Sequence, residues 1–448
     1  MRCRSLVSPM MAFAGNQTAF LSSGAPMIPL TVQNAEKSRR VLILVENLPS
    51  PFDRRVWQEA TTLAANGYEV SIICPTGKGY EKKYEVLNGI HIYRFNLPFE
   101  AKGAGGYLVE YPLALFWTFT LSIRVLLTRG FDVVHACNPP DLLFLVGGFY
   151  KVLLRKCFVF DHHDINPELY EAKFGRRDFW YGILRRLERW SFKVADISIA
   201  TNESYRRIAV DRCGMPKDKV YVVRSGPKLD KWRIMPPNLE LKNGRKYLVG
   251  YVGVMGQQEG VDFLLHAAHY IVRTVNRHDV QFVLVGGGPM LEELRELSQK
   301  LGLDDYVTFT GRVPDEQLIE ALNTADVCVN PDIVNEMNDK STMNKIMEYM
   351  ALGKPIVQFD VVEGRFSARD ASIYVKPNDS IDMALGILGL LDDPKRRAYM
   401  GAFGRRRVEE ELEWRHEAPK LLAAYDRIFG VLGKEREGVH HVGNERVL

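Results

Sequence analysis

The chain has 448 residues, 46% hydrophobic and 25% charged, ordinary globular values that exclude a disordered or collagen-like chain and leave room for two large domains. Its 59 basic and 55 acidic side chains leave a net charge of +4, too small an excess to argue for a nucleic-acid partner. The 6 cysteines are scattered without a Cys-x-x-Cys pair, which predicts reduced, mostly buried thiols.

In chain order, residues 1–38 carry Arg2 and Arg4 ahead of a mildly apolar stretch broken by Gly15, Asn16, Gln17 and Thr18. The break argues against a secretory signal and predicts a flexible extension. From Val41 the pattern changes. An apolar run to Val45, a helical spacing from Arg54 to Asn66 and a second run from Tyr68 to Cys74 read as a βαβ unit with strands buried on both faces. Similar short strands are predicted over 131–135, 157–161, 197–201 and 220–224. The most apolar stretch, Tyr111–Ile123, meets Arg124 before reaching the 18 to 20 or so residues of a membrane span. A second series of strands runs over 247–252, 280–285, 307–310, 327–329, 355–359 and 372–375. Between the series lies a segment rich in Pro, Lys and Asn, the mark of a linker. The pattern predicts two Rossmann-like, doubly wound α/β domains, at 39–225 and 246–405, joined by a linker at 226–245. Helices at 406–432 and a flexible tail at 433–448 follow. Ligands of such sheets bind beyond the carboxyl ends of the strands, so the predicted site is a cleft between the domains.

Several clusters fall at those strand ends. Val285-Gly-Gly-Gly-Pro-Met-Leu-Glu292 follows a strand and opens a helix, where Gly286, Gly287 and Gly288 admit close backbone approach and the helix amino terminus favours an anion. A tight turn is the other reading of the same glycines. Lys345 and Glu348, three apart on one helical face, suit a phosphate and ribose hydroxyls respectively, or form a solvated ion pair. The helix ends at Gly353, a glycine C-cap. His162 and His163 follow a strand and precede Asp164. Strand alternation lets one of the two face the cleft, and backbone capping of the strand is the alternative. Glu46, Asn47, Asp53 and Arg54 occupy the first strand-to-helix loop, with helix capping and a local ion pair as the alternative for Asp53 and Arg54. His135 and Asn138 end another strand. Phe174–Lys193 interleaves Arg176, Arg177, Arg185, Arg186 and Arg189 with Phe179, Trp180, Tyr181 and Trp190. This is either a solvated face over core aromatics or a surface for an anionic membrane.

The run Glu348-Tyr-Met-Ala-Leu-Gly-Lys-Pro-Ile-Val357, with Gly286-Gly-Gly-Pro289, Thr310-Gly-Arg312 and Ala325-Asp-Val-Cys-Val-Asn-Pro331 upstream, resembles the carboxyl-terminal domain of family 4 (group 1) glycosyltransferases of the GT-B fold. In the first domain, Glu46-Asn-Leu-Pro-Ser-Pro-Phe-Asp-Arg-Arg-Val-Trp-Gln-Glu-Ala60 and Asp161-His-His-Asp-Ile-Asn-Pro-Glu168 are similar to the same group. The likeness covers roughly residues 40–430. It implies retaining transfer of a sugar from a UDP- or GDP-sugar co-substrate, with no obligatory metal or other cofactor. The acceptor would be a lipid-linked or growing oligosaccharide, as in exopolysaccharide, capsule or O-antigen synthesis. It also implies helices around Glu409–Phe429 that cross back onto the first domain.

On this reading His162, His163 and Asp164 are catalytic. Gly253, Gly256, Gly286, Gly287, Gly288, Arg312, Lys345 and Glu348 bind the donor, and Glu46, Asn47, Asp53, Arg54, His135 and Asn138 lie on the acceptor side. The expected location is cytoplasmic, peripheral on the inner face of the membrane. Two departures stand out. The family's first glutamate, eight residues before Glu348, is replaced by Lys340. The loop Gly253-Val-Met-Gly-Gln-Gln-Glu-Gly260 lacks the usual cations, leaving phosphate to backbone amides and to Lys345, Lys340 or Arg312. A nucleotide-sugar 2-epimerase and a non-catalytic nucleotide-sugar-binding protein share the same two-lobed fold and are the alternatives.

Overall fold

A computed structural model describes residues 39–97 and 104–444; the expected extension at 1–38 lies outside the described residues. The first lobe is built on β1 (Arg39–Leu44), β2 (Tyr68–Pro75), β3 (Tyr84–Leu87), β4 (Ile90–Phe95), β5 (Val133–Cys137), β6 (Cys157–His162), β7 (Ile197–Ala200) and β8 (Val220–Val222). Its helices are α1 (Arg54–Ala65), α2 (Ala104–Thr128), α3 (Phe144–Leu154), α4 (Asn166–Phe174), α5 (Phe179–Val194) and α6 (Glu203–Arg207). The strands order as β3-β4-β2-β1-β5-β6-β7-β8, parallel throughout except for β3 against β4. Continuous apolar runs make this possible: Val41 to Leu44 are all buried, as strands covered by helices on both faces must be.

Helix α1 starts where Asp53 accepts hydrogen bonds from the Arg55 and Val56 amides, and it buries Val56, Ala60 and Leu63 at helical spacing. The β3–β4 hairpin is absent from the sequence-based expectation. Its turn, Asn88-Gly89, takes positive φ at both residues, the two-residue hairpin turn that Asn-Gly favours. Strand β5 lies two residues later than predicted. Helix α2 is longer than the apolar stretch implied: Glu110–Thr128 is long and apolar enough to cross a membrane, by length and composition. It packs Ala114 and Val125 into the first lobe's core and leaves Phe116, Trp117 and Leu127 exposed.

The second lobe comprises β9 (Tyr247–Val252), β10 (Val280–Val285), β11 (Val307–Gly311), β12 (Val327–Asn330), β13 (Ile356–Phe359) and β14 (Ser372–Val375). They form a six-stranded sheet, β11-β10-β9-β12-β13-β14, with every neighbouring pair parallel. Its helices are α7 (Val261–His269), α8 (Leu291–Lys300), α9 (Asp315–Thr324), α10 (Glu336–Lys340), α11 (Asn344–Ala351), α12 (Val362–Ala368), α13 (Ser380–Asp392) and α14 (Pro394–Arg407). Helix α15 (Trp414–Asn444) returns to the first lobe. There Trp414, Leu421, Ala424 and Tyr425 join the apolar layer of β1, β2 and α1, and the Trp414 indole donates to Thr62 Oγ1 at 2.8 Å. Its backbone continues through 433–444, the stretch read as tail.

In each sheet the strand order reverses once, at β1/β5 and at β9/β12. Such switch points open a crevice at the carboxyl ends of the strands, and it is these ends that meet across the lobes.

Candidate active site

The first lobe contributes a buried charge cluster at the end of β6. Asp161 is fully buried and takes Arg55 Nη2 at 3.0 Å, His163 Nε2 at 2.5 Å and His135 Nε2 at 3.3 Å. Burial opposes ionisation of Asp161, yet the Arg55 guanidinium and the neighbouring His163 hold it well below the usual carboxylate range. An ionised Asp161 accepts only, so His163 carries its proton on Nε2 and turns Nδ1 away. His163 keeps 13% of its side chain exposed at the rim of the crevice.

His162 goes the other way. Alternation along β6 sends it beneath α5, where Phe192 and Tyr205 pack at ring separations of 5.1 and 5.0 Å and neither ring nitrogen finds a hydrogen bond. Burial, reinforced by Arg212, pushes its pKa down to about 3, so it stays neutral. His162 is therefore corrected from candidate catalyst to core residue. His135 is corrected likewise: it is wholly buried, with Nδ1 2.6 Å from the Tyr425 hydroxyl. Burial lowers its pKa, so the neutral ring gives Nε2–H to Asp161 and accepts from Tyr425. It ties α15 to the sheet and does not line the crevice.

Asn138, also buried, spends its side chain within the loops. Its Oδ1 accepts from the His163 and Asp164 amides, at 2.6 and 3.1 Å, and its Nδ2 donates to the Asp141 carboxylate and the Asp164 carbonyl. It aims the His163 loop and leaves nothing for an acceptor. Asp164, in that stapled loop, has its pKa raised by burial. Asp53 is spent as the cap of α1. Glu46 is buried, with Oε1 unpartnered, and burial followed by the charge of Glu110 pushes its pKa up to about 8. Asn47 beside it is exposed.

Of the predicted residues of that loop, Arg54 reaches across. Its guanidinium pairs with Asp315 and lies 3.2 Å from Glu348 Oε1, while Lys231 Nζ holds the other Asp315 oxygen at 2.6 Å. Glu348 thus pairs with the opposite lobe rather than with Lys345. Burial raises its pKa and Arg54 opposes the rise. Arg312, expected to bind the donor, lays its guanidinium over the Phe52 ring at 4.1 Å, a second bridge between the lobes.

The second lobe's glycine loops pack on one another. The Met255 amide donates to the Gly287 carbonyl at 3.1 Å and the Met290 amide to the Met255 carbonyl at 2.9 Å. A β-carbon on Gly286 would stand 1.9 Å from the Gly253 carbonyl oxygen, and one on Gly288 2.5 Å from that of Met255. Close approach of backbone to backbone therefore demands these two glycines, whereas Gly287 faces open space. Below Gly253, Lys345 is held by Asp332 at 2.8 Å and sits 5.0 Å from the centre of the Tyr251 ring. Its ammonium is 3.4 Å from where a side chain on Gly253 would begin. Burial opposes its charge, but Asp332 prevails and raises its pKa. The loop that lacks cations in sequence thus has one inserted from α11. Glu259 closes over Gly256, its Oε2 2.7 Å from the place of a β-carbon.

Asp161, Asp315 and Asp332 were not singled out from sequence as functional. Asp332 lies just beyond β12, and a strand-end acid was the available signal. Lys340 donates to Glu336 at 2.5 Å and approaches Glu168 of the first lobe at 3.7 Å. Two buried triads, His135–Cys137–Asp161 and Glu59–Asp161–His163, have the ligand types of a metal centre. Arg55, however, already lies 2.9 Å from Glu59 and 3.0 Å from Asp161, and burial pushes the Cys137 thiol well above its ordinary range. The charge a cation would bring is present as guanidinium.

Two family models match the chain: "Glycosyltransferase Family 4" over residues 53–231 and "Glycosyl transferases group 1" over residues 246–393. An uncharacterized glycosyltransferase of Methanocaldococcus jannaschii is 23% identical over 399 residues, 84% of this chain and 94% of the relative. Among solved structures, sucrose-phosphate synthase from Thermosynechococcus elongatus superposes with a TM-score of 0.73 at 19% identity, covering 88% of this chain and 100% of that one. The Anabaena protein HepE, solved with UDP and glucose, gives a TM-score of 0.65 at 15% identity, again over 88% and 100%.

Proposed function

As the chain belongs to the group 1, family 4 glycosyltransferases and has the GT-B fold, we propose that it moves a sugar, with retention, from a UDP- or GDP-sugar to a lipid-linked or growing glycan. Exopolysaccharide, capsule or O-antigen synthesis would be its setting. The observation that carries the reading is Lys345, a buried cation held by Asp332 beneath the paired glycine loops.

Cleaving an anomeric bond leaves negative charge on the departing diphosphate, and a fixed ammonium beside backbone amides stabilises that charge without reorganising. Glu348, beside Arg54, takes the ribose hydroxyls. His163, oriented by Asp161, faces the reacting sugar. In a retaining transfer the departing phosphate itself accepts the acceptor's proton, so no carboxylate pair of the hydrolase kind is required. Polar contacts between the lobes bring these groups together and shut out water, the competing acceptor.

The acceptor side is read from the first lobe's outer surface. Phe116, Trp117 and Leu127 of α2, Val152 and Leu153 of α3, and Phe179, Trp180 and Trp190 of α5 are exposed on helices that touch one another. Arg124, Arg155, Arg186 and Lys193 are solvent-exposed on or beside the same helices. Apolar area fringed by cations suits an anionic bilayer surface. This supports peripheral attachment to the inner face of the membrane and a lipid-linked acceptor.

The first test is the melting temperature with UDP, GDP, ADP, dTDP and CMP, each with and without EDTA. A ligand present at about 100 times its Kd contributes about 2.7 kcal/mol. A shift confined to UDP or GDP and surviving EDTA is expected, followed by label transfer from the matching nucleotide sugar that depends on added acceptor. No shift with any nucleotide would overturn the donor assignment.

A further inference from the structure

Beside the crevice, on the outer side of α5, lies a cavity of about 220 Å³ lined by Gly182, Arg185, Arg186, Arg189, Arg212 and Cys213. Its lining contains four guanidinium groups and no carboxylate. Arg212 is neutralised from behind by Glu168 and Glu188. The other three are not: among the described residues, Arg185 is held by the Tyr181 hydroxyl at 3.4 Å and Arg189 by the Arg212 carbonyl at 3.3 Å. Neither of them, nor Arg186, has an acidic partner. Neutral acceptors thus orient two of these guanidiniums and leave their charge unspent. The lining offers them no carboxylate. Three that converge on one hollow without one repel each other, and an anion relieves the repulsion.

Two neighbouring features narrow the ligand. Phe179 and Trp190, seven before and four after Arg186 and so on its face of the helix, are 69% and 51% exposed, which sets apolar area beside the arginines. On the other side the cavity adjoins a second one of about 400 Å³, which shares Arg185 and Arg212 and opens between the lobes against Ser204, Glu336 and Lys340. Apolar flank, arginine hollow and inter-lobe cavity are thus neighbours along α5.

We infer that the Arg185–Arg186–Arg189 hollow binds the diphosphate group of a lipid-linked acceptor, with its chain in the bilayer and its glycan in the adjoining inter-lobe cavity. The inference deepens the proposed function and rests on its lipid-linked acceptor. Paired guanidiniums suit this ligand because each can grip two phosphate oxygens at once, and it supplies the charge that the pocket's own lining lacks.

The test uses the full chain floated with phosphatidylcholine vesicles carrying either a polyprenyl diphosphate or phosphatidylglycerol at equal surface charge. Wild-type protein should bind the diphosphate vesicles about tenfold more tightly than the phosphatidylglycerol vesicles, and inorganic pyrophosphate should displace it. An R185Q/R189Q double variant should lose that preference while keeping the wild-type melting temperature and nucleotide-induced shift. Equal binding of wild type to both vesicles would show a general anionic surface and overturn the site, as would unchanged binding by the double variant. Should binding follow the arginines while sugar transfer proceeds only to a soluble glycan, the diphosphate site would stand and the lipid-linked acceptor would fall.

Discussion

At the scale of single residues, β6 separates two adjacent histidines into different roles. His162 is enclosed by Phe160, Phe192 and Tyr205, whereas His163 is steered by Asp161 and stays accessible. His163→Ala should lower kcat by about a hundredfold, the usual scale for a positioned acid–base or polar group. His162→Phe, which fills the same aromatic cage, should leave kcat within about threefold of wild type; steady-state transfer assays on both decide it. Asp161-His-His-Asp164 was visible as a motif. Which ring faced the crevice was not, because the answer depends on the register of β6 between β5 and β7.

Glu46 makes a pH prediction. Its carboxyl moves from 4.5 up to about 8, through burial and then Glu110. The folded state therefore keeps a proton that the unfolded chain releases, and the associated stability falls as pH rises from about 4.5 through about 8. Glu46→Gln removes this slope. Its melting temperature relative to wild type should climb between pH 5 and pH 8, with a gain of at most about 1.4 kcal/mol per pH unit; a pH-independent difference would count against the buried acid.

At the scale of elements, the glycine loops after β9 and β10 behave as one unit. The glycines were legible, but the choice between ligand approach and a tight turn was not: the fold gives Gly286 and Gly288 to the facing loop. Gly286→Ala should displace the Gly253 loop and weaken donor nucleotide binding by more than about tenfold, because a contact of 1.9 Å cannot be relieved without moving backbone. Gly287→Ala, with its nearest neighbour at 4.0 Å, should bind within about twofold of wild type. Calorimetric titration of both variants checks the pair. The β3–β4 hairpin teaches the complementary lesson, for its Asn88-Gly89 signal was present, but β3 before it has only 4 residues, none of them buried.

At the scale of the whole molecule, the lobes are joined mainly by polar contacts. Arg54 pairs with Asp315 and Glu348, Arg177 with Glu336 and Arg224 with Glu363, while the Asn202 side chain donates to Lys340 and Thr342. The apolar clusters stay within lobes, apart from Met337 reaching the first lobe's core. The exposed pairs of Arg54 and Arg177 are worth little and are screened by salt, whereas the buried Arg224–Glu363 pair is screened much less. Arg54→Ala or high salt should raise the radius of gyration measured by small-angle X-ray scattering, and bound donor nucleotide should lower it in wild type. An unchanged radius in every condition would mean that the lobes do not part.

The sequence by itself determined the two doubly wound α/β sheets, because burial of a strand on both faces and the capping of a helix are written in neighbouring residues. Only the tertiary structure decided which groups act together. Arg54 meets Glu348 across 294 positions of chain, Lys345 is charged because Asp332 lies against it, and His135 belongs to Tyr425 of the returning helix. A charge's partner and solvation are set by strand order and lobe closure, which bring distant segments together, and no local pattern of residue types encodes that choice.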